Sequence, residues 1–114
     1  MSIDAFLKRL NEAPESIAFN EAIAAVEAAY EFTPASFTNG DARNEAGQNS
    51  GSCKLLAFGL LNRLSEQQML ACFGAFYRDD VLKNPDGTNH QNIRSFMKHG
   101  WAGVTFDSMP LRVK

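Results

Sequence analysis

The 114-residue chain has the length of a single hydrophobic core, and its 45% hydrophobic and 21% charged residues exclude a disordered or low-complexity polypeptide. A net charge of −2, with no basic stripe or tail, leaves out the electrostatic footprint that nucleic acid or anionic lipid requires. No apolar run has the length of a signal peptide or a membrane span, and the two cysteines, Cys53 and Cys72, form no C-x-x-C pair. The expectation is a cytoplasmic domain with no nucleic-acid or membrane partner and an oligomeric state left open.

Nine phenylalanines point to an aromatic core, each contributing roughly 1.5–3 kcal/mol on burial. In chain order, Ser2 is placed to cap a first helix whose apolar face is Ile3, Phe6, Leu7 and Leu10, ended by Asn11 and Pro14. Ile17–Phe19 alternates as a short strand would. Asn20 is placed to cap a second helix, with Ile23, Val26 and Tyr30 on one face, and Thr33-Pro34 stops it. From Leu55 to Leu64 the apolar residues run nearly all round, which predicts a buried helix at the centre of the fold. Ser65-x-x-Gln68 reads as a capping box that opens a helix through Met69, Leu70, Phe73, Phe76 and Tyr77. Thr88-x-x-Gln91 reads as a second one, before a helix with Ile93, Phe96 and Met97 inward that ends at Gly100. Val104–Phe106 alternates as a terminal strand. The fold expected is α+β and mainly α: about five helices around a central buried helix, with a small short-stranded sheet, in one domain over residues 1–114.

The stretch from Thr38 to Ser52 holds nothing apolar larger than alanine, and a long segment of that kind without its own secondary structure is uncommon unless it is functional or disordered. Asn39, Asn44, Gln48 and Asn49 each donate and accept, which suits a polar ligand. Where the segment meets the buried helix, Ser52 and Lys54 beside a helix N-terminus offer an anion a place to sit, although the Walker A spacing is absent. In that first turn the helix dipole favours a Cys53 thiolate. A cysteine nucleophile needs a base, supplied by His90 or His99 and oriented by Asp79, Asp80 or Asp86. Arg78 is expected to pair with Asp79 or Asp80, or with Glu45 across a cleft. With two histidines and no Cys/His cluster, no metal and no cofactor is expected.

Four blocks stand out along the chain: FTNG at Phe37–Gly40, NEAGQNSGSCK at Asn44–Lys54, CFGAFYRDDVLKNPDG at Cys72–Gly87 and HQNIRSFMKHGW at His90–Trp101. Together they resemble the HopJ type III effector family over nearly the whole chain. The resemblance implies a bacterial protein linked by its family name to type III secretion; it carries over no activity and no catalytic residue.

The function expected is binding, of a polar small molecule or a host protein, in a cleft between segments 38–54 and 78–94. The residues expected to bind are Asn39, Asn44, Glu45, Gln48, Asn49, Ser52, Lys54, Arg78, Asp79 and Asn92. The alternative is a small enzyme built on Cys53, His90 and Asp80, or a metal at Asp79 and Asp80. A third possibility is a secreted host-interaction protein in which the cleft is incidental.

Overall fold

The structure is a computed structural model that describes residues 3–114; the cap expected at Ser2 lies outside the described residues. The chain runs α1 (Ile3–Glu12), a 3-10 turn (Pro14–Ser16), α2 (Phe19–Ala29), β1 (Tyr30–Phe32), β2 (Phe37–Asn39) and β3 (Ala42–Asn44). It continues through α3 (Ser50–Leu61), α4 (Glu66–Ala71), a π-helical segment (Phe76–Val81), α5 (Gln91–His99), a 3-10 turn (Gly100–Gly103), β4 (Val104–Phe106) and β5 (Leu111–Val113). The class is α+β and mainly helical. Two small antiparallel sheets are present: β1 pairs with β5, and β2 lies between β3 and β4.

The helix starts follow local chemistry. Glu21 reaches back to the Ala18 amide at 3.3 Å, so α2 begins at Phe19 and Asn20 lies inside it. Ile17–Phe19 therefore forms no strand. At α4 the capping box forms as the sequence predicts: the Gln68 amide donates to Ser65 Oγ at 3.1 Å, and the Ser65 amide donates to Gln68 Oε1 at 2.9 Å. That helix stops at Ala71, short of the expected Tyr77. The chain turns through Gly74 at φ +60°, where a Cβ would stand 2.6 Å from the Phe19 backbone nitrogen. At Thr88 the second capping box does not form, because Gln91 instead donates its side-chain amide to the Thr88 carbonyl. The helix starts after His90, with no side-chain cap, and ends at Gly100 with φ +63°.

The core is aromatic and aliphatic, built from Phe6 and Leu10 of α1, Val26 of α2, Phe37 of β2, Leu55–Phe58 of α3, Met69 of α4 and Phe96 of α5. Phe58 meets Phe6 and Tyr30 edge-on at 5.9 and 6.2 Å. The helix around Phe58 is not buried all round. It starts at Ser50, ahead of the start expected at Ser52 and Cys53, and its last turn leaves Leu61 44% exposed. It closes with a Schellman motif: Arg63 takes φ +54°, and the Leu64 amide donates to the Gly59 carbonyl at 2.9 Å. Leu64 is thus buried beyond the helix end. Met97, expected inward, is exposed on α5.

Phe58→Ala removes a ring with no solvent exposure, and is expected to cost about 3–5 kcal/mol in a urea melt. Leu61→Ala, on the exposed turn of the same helix, is expected to stay within about 0.5 kcal/mol of the parent. Equal effects would contradict the one-sided burial of α3.

Candidate functional site

A cavity of about 580 Å³ opens where the β2–β3 hairpin meets the first turns of α3 and α5. Its apolar side is Phe19, Phe73 and Phe76, with Phe19 stacked on Phe73 at 6.4 Å and edge-on to Phe76 at 5.0 Å. Gly51 lets α3 close on this cluster, since a Cβ there would lie 3.0 Å from the tip of Phe19. Phe76, expected in the core, is 39% exposed because it faces this opening.

The opposite side rests on asparagines. Asn39 and Asn44 stand on paired strands, and Asn92 lies in the first turn of α5. Asn92 Oδ1 accepts from Asn39 Nδ2 and Asn44 Nδ2, each at 3.1 Å, and Asn92 Nδ2 donates to Asn44 Oδ1 at 3.0 Å. Asn39 also donates to the Asn92 carbonyl at 2.8 Å, and Asn49 donates to Asn44 Oδ1 at 2.6 Å. Ser95 adds a latch: its hydroxyl donates to the Asn39 carbonyl and accepts from the Asp41 amide at 3.1 Å. Asn39, Asn44 and Asn92 are all buried, and of their side-chain atoms Asn39 Oδ1 alone lacks a partner among the described residues. Their amides are used in fastening the hairpin to α5. Asn44, Asn49 and Asn92 reach the cavity wall, and Asn39 lies behind it.

The wall is rich in donors. Both α3 and α5 start from a residue in the left-handed region, Asn49 at φ +49° and His90 at φ +52°, and neither supplies a side-chain cap. The backbone amides of Gly51, Ser52, Gln91 and Asn92 therefore have no acceptor among the described residues, and all four residues line the cavity. No Asp or Glu lines it, whereas Arg43 and His90 do. Arg43 is held at 2.7 Å by Asp107, whose carboxyl it keeps below the usual carboxylate range by hydrogen bonding. His90 packs over Phe76 at 5.1 Å, and its Nε2 lies 3.0 Å from Asp80 Oδ2.

Residues 3–111 match the family model described as HopJ type III effector protein. The chain belongs to the HopJ family. The crystal structure of the unknown-function protein VPA0580 is similar throughout: the TM-score is 0.99 at 51% identity, over 100% of this chain and 95% of that one. A comparison with the curated proteins finds no match.

In this HopJ chain several of the expected site residues lie elsewhere. Because α3 begins at Ser50, Cys53 falls a turn deeper than expected, 2% exposed, with its sulfur 3.8 Å from the Ala35 carbonyl. Burial pushes its thiol up, outweighing the Ala35 hydrogen bond and nearby Lys54, so the lowered pKa expected from the helix dipole is not found. Cys72, also buried, is pushed up to about 12. The structure thus brings His90 and Asp80 together and keeps Cys53 outside the cavity wall.

Lys54 turns to Glu27 at 2.9 Å and over the Phe32 ring. Gln48 Oε1 accepts from the Glu45 amide at 3.0 Å, and Glu45 Oε2 accepts from Ser36 Oγ at 3.1 Å, so both serve the turn before α3. Among the described residues Arg78 makes none of its expected ion pairs; it donates to the Ile17 carbonyl at 2.7 Å, and its buried Nη1 has no partner there. Asp79 pairs with Lys83 one helical turn on, at 3.2 Å. Among the described residues no three His, Cys, Asp or Glu side chains are grouped as a metal ion needs. The sequence reading missed Phe19, Phe73 and Phe76 as lining residues, along with Arg43 and Gln91, because nothing in a helical apolar face marks which ring borders a cavity.

Asn92→Ala removes three buried side-chain hydrogen bonds while Asn39 keeps the Asn92 carbonyl and Asn44 Oδ1 keeps Asn49, and a denaturant melt is expected to show about 1–3 kcal/mol lost in all. A thiol reagent at mildly alkaline pH is expected to leave both cysteines unlabelled in the native fold and to label both once denaturant is added. One fast-reacting thiol in the native protein would revive the cysteine nucleophile.

Proposed function

We propose that this HopJ-family protein binds a small, acceptor-rich ligand in the cavity, a carboxylate or phosphate ester carrying a flat apolar body. The carrying observation is the imbalance of the wall: four unpaired backbone amides from two helix starts, beside an Arg43 already paired with Asp107, and no lining carboxylate among the described residues. Opposite them, Phe19 and Phe76 offer rings against which an apolar body packs. The volume of about 580 Å³ lies in the range of small-ligand sites, roughly 300–1,000 Å³.

The His90–Asp80 pair favours a second reading, in which the bound ligand gives up a proton. Hydrogen-bonded to Asp80 through Nε2, His90 has Nδ1 without a partner among the described residues, as a general base requires. Such a base acts here without Cys53.

Titration of labelled protein with phenylacetate and phenyl phosphate, followed by amide NMR shifts, tests the binding reading. Saturable shifts are expected at Gly51, Ser52, Gln91 and Asn92, with dissociation constants near 1 mM, about −4.1 kcal/mol for fragments of this size. Ser52→Asp is expected to weaken both ligands, and Phe76→Ala to weaken phenylacetate more than inorganic phosphate. Equal binding of benzylamine, or no shift at these four amides, would overturn the anion reading.

A further inference from the structure

The outward face of α5 carries a second feature that the cavity does not use. A groove of about 280 Å³ lies between α5 and the end of the π-helical segment, with Val81, Leu82, Pro85 and Met97 as its apolar surface and Arg94 and Lys98 on its rim. Leu82 is 48% and Met97 45% exposed, high for large apolar side chains set side by side. The groove is smaller than the roughly 300–1,000 Å³ of a small-molecule site. Its size suits one apolar side chain of a larger partner, and methionine adapts its shape to such an anchor.

The charge beside the groove gives the partner its sign. Arg94 is fixed by neutral oxygens alone: Nε donates to the Asn89 carbonyl at 2.6 Å, Nη1 to the Asn84 carbonyl at 2.8 Å, and Nη2 to Asn89 Oδ1 at 2.8 Å. Gly87 makes room for this guanidinium, since a Cβ there would lie 2.6 Å from Nη2. Arg94 forms no ion pair among the described residues, so a rigidly held cation stands at the rim without a counter-charge. Among the described residues Lys98 pairs with Asp41, at 3.5 Å, and both side chains are mostly exposed. With Asp41 set against Lys98, Arg94 is the positive charge this face carries in excess, in a chain of net charge −2.

A shallow depression of about 360 Å³, bordered by Asp41, Ala42, Gln91, Arg94, Ser95 and Lys98, extends the groove along α5, so an acidic segment laid there takes the place of Asp41 on Lys98. Gln91, Arg94 and Lys98 follow one another at helical spacing, as a track for an extended chain would require. The geometry points to a docking surface for an acidic polypeptide segment, which seats one apolar side chain between Leu82 and Met97 and lays its carboxylates along Arg94 and Lys98. Nucleic acid is the poorer match, because the groove offers aliphatic surface in place of stacking rings and only two rim cations.

Selection from a displayed library of short random peptides tests this. Enriched sequences are expected to place one large apolar residue among Asp and Glu, and the peptide synthesised from them is expected to shift the amides of Leu82, Arg94, Met97 and Lys98. Its affinity is expected to fall several-fold as salt rises through the range where the screening length drops to about 10 Å. Leu82→Ser and Met97→Ser, both at exposed positions, are expected to weaken it at least about tenfold, the equivalent of 1.4 kcal/mol. Lys98→Gln, which puts no second carboxylate beside Asp41, is expected to weaken it as well with little change in the melt, which separates loss of docking from loss of fold. Failure to enrich any sequence, enrichment of basic or uncharged ones, shifts gathered at the cavity, or tighter binding of a single-stranded oligonucleotide would each overturn the proposal. The cavity reading stands or falls separately, on the amides of Gly51 and Ser52.

Discussion

The site depends on one interaction, the buried exchange of side-chain amides among Asn39, Asn44 and Asn92. The strands of the hairpin are three residues long, and β4 pairs with β2 alone, so β3 is held by a short ladder on one edge. Asn92 supplies the missing attachment by accepting from both strands and donating back to one. These side chains are buried, so each bond lost among them weakens a shared network, although Asn39 keeps the Asn92 carbonyl and Asn44 keeps Asn49 when the Asn92 side chain is removed. The same geometry places the start of α5 opposite the start of α3, and the space between the two starts is the cavity. Asn49 links the second wall to the cluster through Asn44.

Polar residues that read as ligand contacts in a sequence are therefore partly structural here. An asparagine in a loop-like stretch can face a ligand or a neighbouring backbone, and only the three-dimensional partner decides. The backbone amides freed at Gly51, Ser52, Gln91 and Asn92 carry no signature in side-chain identity, yet they give the wall its donor excess. Their freedom follows from the left-handed Asn49 and His90, a conformation uncommon for residues other than glycine.

Helices with a clear apolar period were legible from the residues: α1 with Phe6 and Leu10 inward, α4 with its Ser65 and Gln68 box, α5 with its Gly100 stop. The strand at Val104–Phe106 was legible from its alternation. The β2–β3 hairpin was hidden inside a stretch that looked structureless, because its inward residues beyond Phe37 are asparagines. A signal was present in Asn39-Gly40-Asp41, where Gly40 takes φ +58° between the paired Asn39 and Ala42, as tight hairpins favour. The continuous apolar run Leu55–Leu64 misled for a different reason. A pattern without a polar face does not show where the helix stops, and here Asn62 and Arg63 end it while Leu64 folds back to the core. Phe76 misled in the opposite direction: a ring that borders a cavity has the sequence context of a ring in a core.

Both ends of α5 are fastened by the same chemistry to the segments that shape its surroundings. His90 before its first turn meets Asp80 of the π-helical segment at 3.0 Å, and His99 in its last turn meets Asp41 of the hairpin turn at 3.0 Å. At the C-terminal end the arrangement suits the helix dipole, which favours a cation there, and His99 holds the Asp41 carboxyl below its ordinary range. The helix is thereby fixed relative to the hairpin by Asn92, Ser95 and His99, and relative to the π-helical segment by His90. Its inward first turn then borders the cavity, and its outward face, from Gln91 to Lys98, borders the apolar groove. A single nine-residue helix can serve two surfaces in this way because its polar fastenings are side-chain bonds at its start, middle and end.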